Sequence, residues 1–285
     1  MVRMILLIVL FMIMAFSLVT NLVSERSGGQ GVNVVKQFGR GVQNTLNSAD
    51  RIAPDLSGAI GKVDAQIGKL TQRGDDGETA FTAATLTISN ANFTSVQAAK
   101  SVFAGVEMNN TLFVAALLDE ASFEGSSGAS PNFSKARLAG ANFTAAQIPG
   151  ADFTGANLNK AAMRAGDFTG AVFAGADLTA ASFSGAVLSK ATLTRAFAPG
   201  GQFVDAVADG ADFSGTDLRT ARFTNASLRD AKFAAADLAG ADFDGAKLQG
   251  ADLSAANGIT GAQLAGACGD ASTKLPSGFG LTTCE

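Results

Sequence analysis

The stretch ADLAGADFDGAKLQGADLSAA, residues 236–256, repeats every five residues. A large apolar residue stands at Leu238, Phe243, Leu248 and Leu253, and an alanine stands two places before each of them. A helix repeats about every 3.6 residues and a half-buried strand about every two, so neither can direct all four side chains to one side. The pattern requires a chain that turns the same way at every repeat and keeps these side chains pointing at one axis.

The five-residue register extends without insertion from Leu86 to Ala255, which gives 34 repeats. The central residue is Phe in 15 repeats and Leu in 11, and the residue two places before it is Ala in 24. Iteration at a fixed short period indicates a repeat architecture.

Individual repeats such as Ala141-Asn-Phe-Thr-Ala145 and Ala151-Asp-Phe-Thr-Gly155 have the form A-[DN]-[LF]-x-x. In this respect the chain resembles the pentapeptide-repeat family. The resemblance implies an all-β repeat solenoid, a right-handed quadrilateral β-helix of about 8.5 coils. Each coil would hold four repeats, with the central residue and the preceding alanine inside and the other three positions outside.

The alternation of Phe and Leu supports four walls independently, because it has a period of two repeats. Opposite walls of a four-sided coil would then be Phe-rich and the other two Leu-rich, whereas three walls would mix both residues in every column. The predicted core stack consists of fourteen phenylalanines: Phe93, Phe103, Phe113, Phe123, Phe133, Phe143, Phe153, Phe173, Phe183, Phe203, Phe213, Phe223, Phe233 and Phe243.

The N-terminal segment predicts membrane insertion. Residues 4–23 carry no charge, and about 20 apolar residues are what a spanning helix needs. We expect residues 1–26 to be an uncleaved transmembrane anchor, and the alternative is a cleaved signal peptide ending at Ala15-Phe-Ser17. Arg3 precedes the helix, which favours an N-in orientation in a bacterial inner membrane with the repeats in the periplasm. Cleavage would instead give a secreted protein.

Residues 27–80 predict a Gly-rich joint followed by amphipathic linker helices. In the second of these, Leu56, Ile60, Val63, Ile67 and Leu70 are spaced to form one apolar stripe. The stripe fits a cap on the repeats, a coiled coil that makes a homo-oligomer, or a helix on the membrane surface.

We expect the β-helix to span residues 81–258 and a C-terminal cap to span residues 259–285. Residues 260–268 predict a short capping helix. Cys268 and Cys284 enclose a short loop near the terminus, and a protein exposed to an oxidising compartment would join them in a disulfide.

Composition argues against catalysis and nucleic-acid binding. The chain has no histidine, which removes the commonest general base and metal ligand, and its net charge is −4, which is not the basic footprint of a nucleic-acid binder. We therefore expect no enzyme activity, no cofactor, no metal and no small-molecule substrate.

The expected function is that of a membrane-anchored scaffold or protein-interaction module, whose partners are the membrane and a protein such as a membrane complex. The alternative is a secreted effector or an inhibitor of the DNA-mimic type, which the resemblance to the family suggests. The repeats hold 16 acids against 12 bases, a far lower charge density than that of duplex DNA.

Departures from the repeat pattern mark candidate partner surfaces, because exposed apolar groups on a rod can bind another protein. Phe197 occupies an outward position beside Ala198, which takes a central position. Phe197 either faces the partner or folds inward to fill the core. The six candidate residues are Val102, Leu112, Leu117, Val187, Phe197 and Val207.

Overall fold

The computed structural model describes residues 87–284. The predicted anchor, the linker segment, residues 81–86 and Glu285 lie outside this part of the chain. Within residues 87–284, no helix is long and apolar enough to cross a membrane.

The repeats form a β-helix in which each outward residue pairs with the residue twenty places later. The parallel pairs begin at Thr87 with Glu107 and continue to Asp237 with Asn257. Twenty residues are four repeats, so the coil has four walls, as predicted. We number the walls by their first paired residue, so that walls 1, 2, 3 and 4 begin at Thr87, Asn92, Gln97 and Val102. Walls 1 and 3 are opposite, as are walls 2 and 4.

Each repeat combines a short ladder segment with a corner. In the repeat centred on Phe143, the Phe143 N–H donates to the carbonyl of Ala162 in the next coil at 2.6 Å. The Ala146 N–H then donates to the Phe143 carbonyl at 3.0 Å and closes a four-residue turn. Ala145, the third residue of this turn, has φ 56°. Glycine adopts this left-handed conformation without steric cost, which explains why the equivalent position is often glycine, as at Gly155.

Phenylalanine rings fill the interior in two columns. Rings twenty residues apart lie parallel, with centroids 4.7 to 5.2 Å apart. The columns of walls 2 and 4 meet edge to face across the axis, as Phe133 and Phe143 do at 5.5 Å and 89°. Both geometries are favourable for aromatic quadrupoles. All fourteen predicted phenylalanines are buried.

The prediction that the other two walls are Leu-rich holds for wall 3 but is wrong for wall 1, whose central residues are mixed. One of them is a phenylalanine, and its neighbours compensate for it. Phe168 of wall 1 is fully buried and contacts the rings of Phe173 and Phe183 at 6.3 and 6.2 Å. Two residues earlier, glycine replaces the usual alanine, because a Cβ on Gly166 would lie 2.5 Å from the Phe168 ring. Met163, five residues before Phe168, takes a position that is otherwise Phe in wall 4. The layer thus keeps its volume.

The C-terminal segment closes the end of the rod. Helix α1 spans Gly261–Leu264, strand β1 spans Cys268–Gly269, and strand β2 spans Thr282–Thr283 and pairs with β1 in parallel. Helix α1 is shorter than the helix predicted over residues 260–268. The reason is that the chain returns to the ladder at Cys268, which pairs with Lys247. Lys274 pairs with Asp252 in the same way.

Side chains of this segment also bond to the last coil. The amide of Gln263 donates to the carbonyls of Leu238 and Ala241 at 2.7 and 2.8 Å, and the Thr273 hydroxyl donates to the Leu248 carbonyl at 2.8 Å. An open ladder edge favours pairing with other chains. The bond to the Ala241 carbonyl and the ladder pairs of Cys268 and Lys274 occupy part of this edge.

The predicted disulfide between Cys268 and Cys284 is confirmed. It fastens the end of β2 beside β1, where Leu275, Phe279 and Leu281 pack against the core.

Candidate interaction surface

Aspartates before the central residue have a structural role in the corners. Eight aspartates occupy this position, and in each case Oδ1 accepts a hydrogen bond from the backbone N–H two residues later, at 2.9 to 3.1 Å. This is an Asx turn, which stabilises the corner locally. All eight residues are half-buried: Asp152, Asp167, Asp177, Asp212, Asp217, Asp237, Asp242 and Asp252.

Ion pairs neutralise part of the negative charge on the surface of the rod. Arg219 binds Asp217 at 2.7 Å and lies 3.8 Å from Asp237, and Arg137 binds Asp119 at 2.8 Å. The hydrogen bond from the Arg219 side chain lowers the pKa of Asp217, and the same bond raises the pKa of Arg219. Mixed charges of this kind do not reproduce the uniform phosphate rows of DNA.

The six predicted surface residues do not form one patch. Val102 lies on wall 4, Leu112 on wall 2, and Val187 pairs with Val207 on wall 1. Leu117 and Phe197 share wall 3 but are four coils apart. Val102, Leu112 and Val207 are 36 to 38% exposed, whereas Leu117 and Val187 are half-buried.

Phe197 is the most exposed large apolar residue in the described part of the chain. The residue is 45% exposed, and Ala198 takes the buried central position. Phe197 pairs with Asp177 on one side and with Asp217 on the other, so the ladder passes through it unbroken. Turning its side chain inward would break these pairs. Phe197 therefore faces outward and does not fill the core.

Around Phe197, wall 3 combines an aromatic surface with carboxylates. Its outward column from residue 157 to residue 257 contains three aspartates and no lysine or arginine. Oδ1 of Asp177 accepts both the N–H and the hydroxyl of Thr179 at 3.0 and 2.6 Å. Asp217 is paired with Arg219, whose guanidinium therefore also lies at this surface. An aromatic ring next to carboxylates suits a ligand with an apolar group and a cation.

The described residues contain no cluster of three or more His, Cys, Asp or Glu side chains that could hold a metal ion. We therefore assign no metal-binding residues within residues 87–284.

Sequence comparison identifies the repeats. A model of the pentapeptide repeat region matches residues 176–253, and a model of eight pentapeptide repeats matches residues 107–144 and 129–159. None of the curated proteins compared with the chain matches it.

Solved structures with similar folds include HetL, a pentapeptide repeat protein involved in heterocyst differentiation regulation in the cyanobacterium Nostoc sp. strain PCC 7120. It is 26% identical, with 68% of this chain and 86% of HetL covered and a TM-score of 0.47. QnrB1, a plasmid-mediated fluoroquinolone resistance protein, is 19% identical over 59% of this chain and 94% of its own, with a TM-score of 0.30.

A pentapeptide repeat protein from the thylakoid lumen of Arabidopsis thaliana is 32% identical over 39% of this chain and 68% of its own, with a TM-score of 0.13. Together with the pairing of each residue to the one twenty places later, the family matches show that the repeat region of this chain belongs to the pentapeptide repeat family.

Proposed function

We propose that this protein is a non-enzymatic protein-interaction module that binds a protein partner through wall 3 around Phe197. The observation that carries the proposal is an aromatic residue, 45% exposed, held in a rigid ladder between Asp177 and Asp217. Exposed aromatic residues on otherwise polar surfaces are typical anchors of protein interfaces.

The chemistry of wall 3 selects a partner segment with an apolar side chain next to a lysine or arginine. The apolar group would pack on Phe197, and the cation would bind the carboxylate of Asp177 one coil away, about 5 Å along the rod. Opposite charge would also steer the partner to this wall rather than to wall 1, where Val187 and Val207 lie next to each other.

We also propose that residues 4–23 anchor the module in a membrane and that the β-helix lies outside the cytoplasm. The uncharged length of this segment supports an anchor, and the disulfide between Cys268 and Cys284 supports an oxidising compartment. Intact-mass measurement of the purified protein tests the anchor, since loss of the first 17 or so residues would show cleavage. A reporter fused after Glu285 tests topology, and activity only in the cytoplasm would contradict the proposed orientation.

Site-specific photo-crosslinking in the native host tests the binding surface. A photoreactive phenylalanine analogue at position 197 should give a cross-link to one protein, and the linked peptide should contain Lys or Arg beside an apolar residue. The matched control carries the analogue at position 207, an exposed apolar position on the opposite wall, and should give no such product.

The second variant, Asp177→Asn, removes the charge but keeps the oxygen that accepts the Thr179 N–H. It should reduce the yield of the cross-link from position 197. Equal cross-linking from positions 197 and 207, or no effect of Asp177→Asn, would contradict the proposal. A cross-link to a second copy of this chain would identify a self-association surface instead.

A further inference from the structure

The outer surface of the second coil carries an apolar strip. Leu112 on wall 2 is 38% exposed, and Val114 at the corner and Leu117 on wall 3 are half-buried. We call these three residues the Leu112–Leu117 strip. One coil further along, the corresponding outward residues are polar: Asn132, Ser134 and Arg137. The strip is thus confined to the end of the rod where the chain enters at Thr87.

Within residues 87–284, the ladder also has an unpaired edge at this end of the rod. The backbone N–H groups of Asn92, Gln97 and Val102 have no acceptor within residues 87–284, because these residues include no earlier coil that could supply a carbonyl. The other end is occupied by the segment from Gln263 to Lys274. Natural sheets cover such edges with a helix or loop.

The charge around the Leu112–Leu117 strip favours binding of a basic segment of this chain. The second coil, residues 107–126, holds four acids and no lysine or arginine. The chain segment 56–73 holds three bases and one acid, and it carries the apolar stripe of Leu56, Ile60, Val63, Ile67 and Leu70. The two surfaces are therefore complementary both in apolar pattern and in sign of charge.

We propose that residues 56–70 form a helix that packs its apolar stripe on the Leu112–Leu117 strip of the same chain. Sixteen residues, 71–86, connect the segment to the first coil. They can span up to about 50 Å when extended, so the segment reaches the second coil without strain. A helix of 15 residues is about 22 Å long, enough to extend past the first coil and shield the open edge.

Photo-crosslinking in the full-length protein tests this proposal. A photoreactive phenylalanine analogue at position 117 should link within the chain to a peptide from residues 56–70. The matched control has the analogue at position 207, which is far from the entry of the chain and should give no such link. A mixture of heavy-isotope-labelled and unlabelled protein distinguishes links within one chain from links between two.

Two aspartate substitutions make the test specific to the stripe. Ile67→Asp places a charge in the stripe and should lower the yield of the link about tenfold, because it would bury an unpaired carboxylate. Ala65→Asp adds the same charge on the opposite side of the predicted helix and should leave the yield unchanged. Equal effects of the two variants, a link between two chains, or a link only to lipid or another protein would overturn the proposal. This inference stands independently of the function proposed for wall 3.

Discussion

Alanine at position 166 should destabilise the β-helix because the glycine there makes room for the Phe168 ring. The added Cβ would lie 2.5 and 2.8 Å from two ring carbons of Phe168 and 3.0 Å from the Ala146 carbonyl oxygen. Real contacts are longer, so the ring or the backbone must shift. Overpacking of this kind costs about 1–3 kcal/mol, and we expect about 2 kcal/mol for Gly166→Ala.

Phe168→Leu should cost a similar amount alone, about 2 kcal/mol, because it removes ring contacts with Phe153, Phe173 and Phe183. The double variant restores the common A-D-L form of the repeat. It should cost only about 1–2 kcal/mol, since the leucine leaves space for the Cβ and the alanine restricts the unfolded chain. The coupling energy is then about 2–3 kcal/mol.

Equilibrium unfolding in guanidinium, followed by circular dichroism, measures all four free energies. As a control, Phe223→Leu removes a buried ring of wall 4 almost three coils away, so its cost should add to that of Gly166→Ala with no coupling. A neutral Gly166→Ala variant, or a double variant that costs the full sum, would refute the packing argument.

Three further predictions concern the corners and the cap. Asp242→Ala should lower the free energy of unfolding by about 1 kcal/mol and Asp242→Asn by much less, because only the alanine removes the acceptor for the Asp244 N–H. Thermal unfolding checks this order, and equal losses of stability would contradict it. Hydrogen bonds, chiefly from the backbone N–H of Asp244, hold the pKa of Asp242 below its usual range, so its stabilisation is present above about pH 4 and is lost as pH falls through the lowered pKa. Acid unfolding should therefore shift to lower pH in Asp242→Asn, and an unchanged transition would argue against this contribution. Reduction of the disulfide should speed hydrogen exchange in residues 268–284, where the bridge contributes about 3 kcal/mol, but not in residues 147–237, because each coil contacts only its neighbours.

The core of this fold can be predicted from the sequence because its pattern is iterated. One residue in five is large and apolar, and the alternation of Phe and Leu every ten residues distinguishes four walls from three. The stacked rings and the pairing of each residue with the one twenty places later follow from that period. The Cys268–Cys284 disulfide agrees with the expectation for two cysteines that enclose a short loop in an oxidising compartment.

The hydrogen bonds that the aspartates accept in the corners were not predicted from the five-residue pattern. The repeat pattern alone gives Asp177 no local role, whereas its Oδ1 accepts hydrogen bonds from both the N–H and the hydroxyl of Thr179. A local signal was present, since Asp167, Asp177 and Asp252 are each followed two residues later by Thr or Ser. That spacing is typical of an Asx turn and predicts a role in the corner.

Two other features could not be predicted from the repeat pattern. Ala198 leaves the core short of volume, which favours an inward Phe197, but the ladder pairs with Asp177 and Asp217 keep that side chain outside. At the C-terminus the five-residue period ends, so nothing in the sequence pattern indicated that Cys268 and Lys274 would rejoin the ladder.

Four repeats make one coil and so place Phe197 beside Asp217 on wall 3. Cysteines at positions 197 and 217 test this geometry when they are treated with a short bifunctional thiol reagent and the products are mapped by mass spectrometry. Paired residues on adjacent coils are about 5 Å apart, so these two thiols should be bridged. Cysteines at positions 197 and 212 lie on different walls of a four-sided coil and should not be bridged. Bridging of 197 to 212, three repeats away, without bridging of 197 to 217 would contradict both the fold and the proposed surface.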